Sequence, residues 1–291
     1  MGYDYAEMTR DMDLLAEKYE RAEKMIIGES IMGREIPCLK IGGGGKKLFL
    51  SGAYHGLEYL TAVFLMRFAP NYIESLITGG GYYGYDTAAL SGKVSVYIAP
   101  MINPDGVDIA VNGLDIKNEF HRRLICRVGI HNFDRVWQAN ARGVDINHNF
   151  DAGWQSVTDK PSPTKYGGEY AHSEPETRAV VNLARKENFD MLIAFHSQGG
   201  EIYYDFDDIF VPGARETADK MASESGYKVC VPEGTASFGG CKDWFIREFG
   251  KPGFTVEIGR GKNPLPVSML DEIYEENARI VLCAIESLAG E

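Results

Sequence analysis

Lys47-Leu-Phe-Leu-Ser51-Gly-Ala-Tyr-His55-Gly-Leu-Glu58 runs directly into Tyr59-Leu-Thr-Ala-Val-Phe-Leu-Met66. The first five residues are a short apolar run of buried-strand type, and the second stretch opens an apolar run of helical length, so a strand hands over to a helix at His55–Glu58. Such a handover is the unit of an open α/β sheet, in which ligands bind outside the carboxyl ends of the strands. His55 and Glu58, three apart, project to the same side of a first helical turn, where an imidazole and a carboxylate can share one ion. A catalytic zinc takes three protein ligands and keeps a fourth position open, so the pair calls for a second histidine. A His and a Glu at this spacing also form an ordinary solvated helix edge, and the pair alone leaves both readings open.

Upstream, Asp4 caps a helix through about Tyr19 with Met8, Met12, Leu15 and Tyr19 on one face, and Met25 to Ile41 reads as a hairpin. Downstream, the helix from about Glu58 to Ile77 gives way to a Gly/Tyr-rich loop, Gly79 to Gly92, and Lys93 to Pro100 is a second buried strand. Strands alternating with helices predict a largely parallel sheet. Asn103-Pro-Asp-Gly106 reads as a turn, and Leu114 to Val136 as a charged excursion over one face. Trp137 to Asp151 is crowded with Asn140, Arg142, Asp145, Asn147, His148 and Asn149, and its plainest reading is an edge strand with a solvated face. Ser173-Glu-Pro-Glu176 has the pattern of a capping box opening a helix to about Lys186.

Asp190-Met-Leu-Ile-Ala-Phe-His196 is an apolar strand that ends in the histidine sought, either a ligand or a core imidazole bonded to a backbone carbonyl. Phe254-Thr-Val-Glu257-Ile-Gly259 places one carboxylate inside an apolar strand, where it needs a metal, a cation or a proton for company. The closing helix runs from Val267 to about Leu288. No internal repeat and no Pro/Ser-rich linker divides the 291 residues. The expectation is therefore one domain, residues 1–291, of α/β class: a mixed, mostly parallel twisted sheet with helices on both faces.

A net charge of −12 leaves no basic footprint, which argues against nucleic acid or an anionic membrane as the partner and requires any anionic substrate to be held by local cations. Five widely spaced cysteines without a C-x-x-C pattern favour free thiols in a reducing compartment. With no apolar run near about 18 residues and no leader-like start, the expected location is cytoplasmic. Gly79-Gly-Gly81 lacks the G-K-[ST] of a phosphate loop, so nucleotide chemistry has no support.

The ordered set His55-x-x-Glu58, Arg142, Asn147, His196 and Glu257 resembles the zinc carboxypeptidases of the carboxypeptidase A type, in register from about Tyr5 to Leu288. That resemblance implies one zinc per chain held by His55, Glu58 and His196, with Asp145 accepting the other N–H of the first ligand histidine. It further implies Glu257 as the general base that later protonates the leaving amine, Arg142 facing the oxyanion, and Asn147 on the substrate. Within the family, Gly143 to Trp154, Phe195 to Tyr204 and Phe254 to Pro266 are most similar to bacterial peptidases that cut the γ-D-glutamyl-diaminopimelate bond of peptidoglycan peptides. The implied partner is then a peptide, specifically a muropeptide. Two departures weigh against strict release of a C-terminal residue: His148 stands where the family's carboxylate-gripping arginine follows the asparagine, and Thr235 stands where its closing tyrosine falls. By the same resemblance Lys242 lines the pocket on the leaving side and meets the far carboxylate of diaminopimelate, while Arg260 and Lys262, three and five residues beyond Glu257, are expected near the pocket mouth from their place in the chain, which does not fix their direction. Against this, all three cations read equally as solvated surface residues. An ordinary metallocarboxypeptidase, a deacylase of N-acyl amino acids on the same fold, and a zinc-dependent binding protein remain as alternatives. The presence of Glu257 speaks against the last.

Overall fold

A computed structural model describes residues 2–129, 132–155, 157–232 and 238–290. In chain order the elements are α1 (Tyr5–Lys18), β1 (Ala22–Glu29), β2 (Glu35–Ile41), β3 (Lys46–Ser51), α2 (Tyr59–Thr78), α3 (Thr87–Ser91), β4 (Val94–Ala99), α4 (Pro104–Asn112), α5 (Glu119–Val128), α6 (Phe133–Val136), α7 (Pro175–Glu187), β5 (Met191–His196), β6 (Glu201–Tyr203), α8 (Ala214–Ser225), β7 (Lys228–Cys230), α9 (Cys241–Phe249), β8 (Gly253–Glu257) and α10 (Leu270–Gly290). The strands form one sheet in the order β1-β2-β4-β3-β5-β8-β6-β7. The central pairs β4–β3, β3–β5 and β5–β8 are parallel, as is β6–β7 at one edge, while β1–β2, β2–β4 and β6–β8 are antiparallel.

Every residue of β4 and β5 is buried. Because successive side chains of a strand point to opposite faces, both faces of the sheet centre must be covered, as expected for a parallel core. Phe49 and Phe189 stack at 4.9 Å between ring centroids on this core, and α10 lies against β3, β4, α2 and α8 while α9 lies on β5 and β8. The capping box at α1 forms as its sequence predicts: Asp4 accepts from the Glu7 backbone N–H at 3.0 Å and the Asp4 N–H donates to Glu7 at 3.2 Å. Among the described residues no helix is long and apolar enough to cross a membrane.

Four local expectations are corrected. Asn103-Pro-Asp-Gly106 starts α4 instead of making a turn, because Asn103 caps the Gly106 N–H at 2.9 Å and Pro104 occupies the first helical position, where a missing N–H costs nothing. The charged excursion holds α5 and α6. Trp137 to Asp151 contains no strand: Asn140 accepts the Arg142 and Val144 N–H groups, and a single 3-10 turn spans Ile146–His148, so the polar side chains bond the local backbone where a ladder would have stood. The capping box at Ser173 does not form. Ser173 Oγ donates to Glu174, α7 is capped by Glu174 without a side-chain bond, and Glu176 turns inward to accept the Ile31 N–H at 3.0 Å.

Burial, reinforced by the Asp105 and Glu174 carboxylates, pushes the Glu176 carboxyl up to about 8. The folded chain thus keeps a proton that the unfolded chain releases above its ordinary value of 4.5. Stability should fall as pH rises from about 4.5 to about 8 and then level off. Denaturant midpoints across that range should show a shallower slope in Glu176→Gln than in the parent protein, and equal slopes would mean that Glu176 does not titrate within it.

Candidate active site

Between β3 and α2 the chain makes a constrained bend that aims two side chains at one point. Gly56 N–H and Leu57 N–H donate to the carbonyls of Gln138 and Trp137, both at 3.1 Å, and Asn103 Nδ2 holds the Tyr54 carbonyl at 2.9 Å. A side chain on Gly56 would meet the Gly106 carbonyl oxygen at 2.3 Å, so only glycine lets the bend seat against α4. Thr61 Oγ1 closes the loop by accepting from Ala53 N–H and donating to the Glu58 carbonyl, each at 2.7 Å.

The bend delivers His55 and Glu58, and the end of β5 delivers His196. Glu58 Oε1 lies 2.7 Å from His55 Nδ1 and Glu58 Oε2 lies 3.0 Å from His196 Nδ1, with one donor atom from each residue lying within 4.8 Å of the others. On the far side of its ring, His55 Nε2 is 3.1 Å from Asp145 Oδ1, and the second Asp145 oxygen accepts the Lys165 N–H at 2.9 Å. Tyr54 stacks on His196 at 5.2 Å between centroids, and its hydroxyl is fixed between Ser51 and Cys241. His196 Nε2 is buried with no partner among the described residues. Two imidazole nitrogens and one carboxylate converging at this separation, with a carboxylate behind one imidazole, make a donor set that fits zinc.

The electrostatics follow from close burial of opposite charges. Burial alone would depress the His55 imidazole, but the Glu58 and Asp145 carboxylates hold it well above its ordinary value. Burial raises Glu58, and the two imidazoles overcome it to hold the carboxyl down to about 2. His196 is lowered, chiefly by burial. Glu257 is the outlier: burial, then the charge of Glu58, raises its carboxyl well above 4.5.

Glu257 reaches this place through register. It pairs with His196 across β5–β8 and with Glu201 across β8–β6, so the three side chains form one row on one face of the sheet. Glu201, which sequence reading passed over, accepts from the Tyr203 hydroxyl at 2.7 Å. The available signal was a carboxylate directly after Gly199-Gly200, shortly beyond the strand-ending histidine.

The remaining candidates divide. Asn147 Oδ1 accepts the Cys241 N–H at 3.1 Å and His148 Nδ1 donates to the Phe238 carbonyl at 2.9 Å, tying their loop to the start of α9. Lys242 is buried, 3 % exposed, with Nζ donating to the Asp205 carbonyl at 2.5 Å and paired with Asp243, so it is not the solvated residue its type suggests. Burial pushes the Asp243 carboxyl up to about 6 despite that lysine. Arg142 is half-exposed, 3.7 Å from Glu174, and the described residues give it no contact with His55, Glu58, His196 or Glu257. Arg260 bonds Glu276 at 2.9 Å and lies over the Tyr227 ring, and Lys262 is exposed. Thr235 lies outside the described residues.

Comparison with known proteins bears directly on this arrangement. Residues 8–280 match the family described as zinc carboxypeptidase. The chain is 34% identical over 289 residues to gamma-D-glutamyl-L-diamino acid endopeptidase 1 of Lysinibacillus sphaericus, covering 98% of this chain and 72% of that one. It is 30% identical over 291 residues to the uncharacterised protein YqgT of Bacillus subtilis, covering 97% and 77%. Among solved structures its fold is similar to that of thrombin activatable fibrinolysis inhibitor, with a TM-score of 0.80 at 19% identity over all of this chain and 75% of that one.

Asp145→Asn should weaken zinc binding by about 10–100-fold, the usual cost of losing the acceptor behind a ligand histidine, while His196→Ala should abolish stoichiometric zinc. Chelator competition measures both. Unchanged affinity in the first variant would mean that His55 is oriented without Asp145, and unchanged zinc content in the second would remove His196 from the ligand set.

Proposed function

The chain belongs to the zinc carboxypeptidase family, and from that premise we propose that it hydrolyses the γ-D-glutamyl-diaminopimelate bond of peptidoglycan-derived peptides. Residues 1–291 act in this reading as one catalytic domain with one zinc held by His55, Glu58 and His196. The observation that supports it most is the convergence of those three side chains beside Glu257, in the next strand and in register with His196.

Zinc, when bound there, supplies Lewis acidity and makes water acidic enough to be deprotonated near neutral pH. Glu257 takes that proton as the nucleophile approaches the amide carbon, then delivers it to the leaving amine. Asp145 keeps His55 in the tautomer that presents Nδ1 to the shared site. Arg142, half-exposed and loosely held by Glu174, swings to the oxyanion of the tetrahedral intermediate, where one preorganised donor contributes about 3–4 kcal/mol. Asn147 and His148 hold the substrate from the loop that abuts α9.

The substrate class is supported by the relative whose name specifies a γ-D-glutamyl-diamino acid bond, and by Lys242. In this reading the Lys242 ammonium, held in this structure by Asp243 and the Asp205 carbonyl, exchanges one of these contacts for the far carboxylate of diaminopimelate. Arg260, engaged with Glu276, and Lys262, exposed, are left with only a long-range attraction for the anionic substrate.

Glu257→Gln should keep zinc and fold but lose about 10³-fold in kcat, within the range for a positioned acid–base group. Near-normal turnover would make Glu257 structural. A side-by-side digest read by mass spectrometry should show faster cleavage of L-Ala-γ-D-Glu-diaminopimelate than of the same peptide with the far carboxylate amidated or with lysine in place of diaminopimelate. The preference should vanish in Lys242→Met combined with Asp243→Asn, the second change sparing an unpaired buried carboxylate. Faster release of a C-terminal phenylalanine or leucine would indicate an ordinary carboxypeptidase, and activity confined to N-acyl amino acids a deacylase.

A further inference from the structure

A cavity of about 370 Å³ lies behind Asp145, lined by α5 and by the loops around Arg142 and Tyr166. That volume lies within the range of small-ligand sites, roughly 300–1,000 Å³. One wall is a face of α5 on which Phe120, Arg123, Leu124 and Arg127 follow one another at i, i+3, i+4 and i+7, Leu124 buried and the other three exposed at the rim. The opposite wall includes Arg142, Val144, Tyr166 and Tyr170. This second wall is continuous with the site: the Asp145 N–H bonds the Tyr166 carbonyl at 2.8 Å, and Asp145 in turn meets His55.

Three guanidinium groups around one cavity are unexpected in a chain of net charge −12, and the acidic groups present do not consume them. Glu174 is buried and already bonded by Ser173 and Asn140, each at 2.8 Å, so Arg142 stays 3.7 Å away. Arg127 has no ion pair among the described residues. Among the described residues Arg123 pairs only with Glu119 on the same exposed helix surface, a contact that solvent screens and a ligand readily replaces. Glu169, the other acidic residue on the rim, is exposed and free to turn outward. A planar guanidinium fork matches a carboxylate, and the phenol rings of Tyr166 and Tyr170 with the Leu124 and Val144 side chains offer an apolar bed for a short peptide.

We propose that this cavity is the subsite for the acyl side of the cut bond, and that Arg123 and Arg127 hold there a free carboxylate of the substrate. The inference rests on the substrate class proposed above and sharpens it. A glutamyl residue linked through its side chain keeps its α-carboxylate free, separated from the scissile carbonyl by Cα, Cβ and Cγ, whereas an α-linked residue with an uncharged side chain offers no carboxylate at that reach. The arginine pair therefore selects by charge for an acyl group that carries a free carboxylate, on the other side of the bond from Lys242.

The test compares L-Ala-γ-D-Glu-diaminopimelate with its counterpart carrying the glutamyl α-carboxylate as an amide, using the full chain loaded with zinc. The parent protein should favour the free acid by about tenfold or more in kcat/KM, as expected for a charge-assisted contact. Arg127→Gln and Arg123→Gln should each bring the ratio toward unity and together to within about twofold, while cleavage of the amide stays at the parent rate. A ratio unchanged in the double variant overturns the assignment. Titration with the dipeptide L-Ala-D-Glu and with its α-amide, read by calorimetry, separates this outcome from failure of the substrate reading. If neither peptide is cleaved, binding of the acid that is lost in the double variant still upholds the carboxylate site. Equal binding of acid and amide, or binding that the double variant retains, overturns it.

Discussion

The carboxylate of Glu58 sits between two imidazoles, and the rest of the site answers to that contact. A buried carboxylate stripped of its partners costs several kcal/mol, so Glu58 is held ionised only because His55 and His196 approach its two oxygens and the Ser197 N–H supplies a third contact at 3.2 Å. The imidazoles are constrained in turn. His55 is gripped from behind by Asp145, and His196 is flanked by the Tyr54 ring. A zinc ion entering this set meets donors whose orientation has already been fixed by the protein, which is the condition for tight binding without large rearrangement.

The parallel centre of the sheet explains why these particular segments meet. β3, β5 and β8 are adjacent, run the same way and stop at the same edge, so the residues at or just beyond their ends, His55, His196 and Glu257, gather there. The edge is lined on one side by the irregular segment from Asn140 to Asn149. Its amides and carboxylates bond loop backbone at Arg142, Val144, Lys165 and Gly167, so a stretch without regular structure is nonetheless fixed in place. On the other side the buried Lys242–Asp243 pair opens α9.

Much of this was legible in the amino-acid sequence because its signal is apolar and continuous. Lys47–Ser51, Lys93–Pro100, Asp190–His196 and Phe254–Gly259 are runs that can only be buried, and the residues that break them, His55, His196 and Glu257, stand out for that reason. What escaped reading has a common physical cause. β6 and β7 are three residues each, too short to show a period, and they exist because β8 offers β6 an edge. Asn103-Pro104 has the same local chemistry at a turn as at a helix start, and only the packing of α4 against the bend at Gly56 decides between them. Ser173 and Glu176 have the capping pattern but are drawn off by Glu174 and by the Ile31 backbone. Cation positions were the least legible: Lys242 pairs with the adjacent Asp243 but is enclosed through the distant Asp205 carbonyl, and Arg260 is turned to α10 by Glu276.

Glu58 and His196 are 138 residues apart in the chain and 3.0 Å apart in space. Closing so long a loop carries a chain-entropy cost that grows slowly with length, and the pairing of β3 with β5 helps to offset it. Zinc that binds only the closed arrangement adds to its stability by mass action, so metal and topology reinforce one another. The timing of competence follows. A ribosome-bound chain that has emerged only through α7 possesses His55 and Glu58 but no strand to bring an imidazole opposite them, and one that stops before β8 lacks Glu257, the base proposed above. In the proposed reading, the ligand set and the base are complete only once β3, β5 and β8 stand side by side.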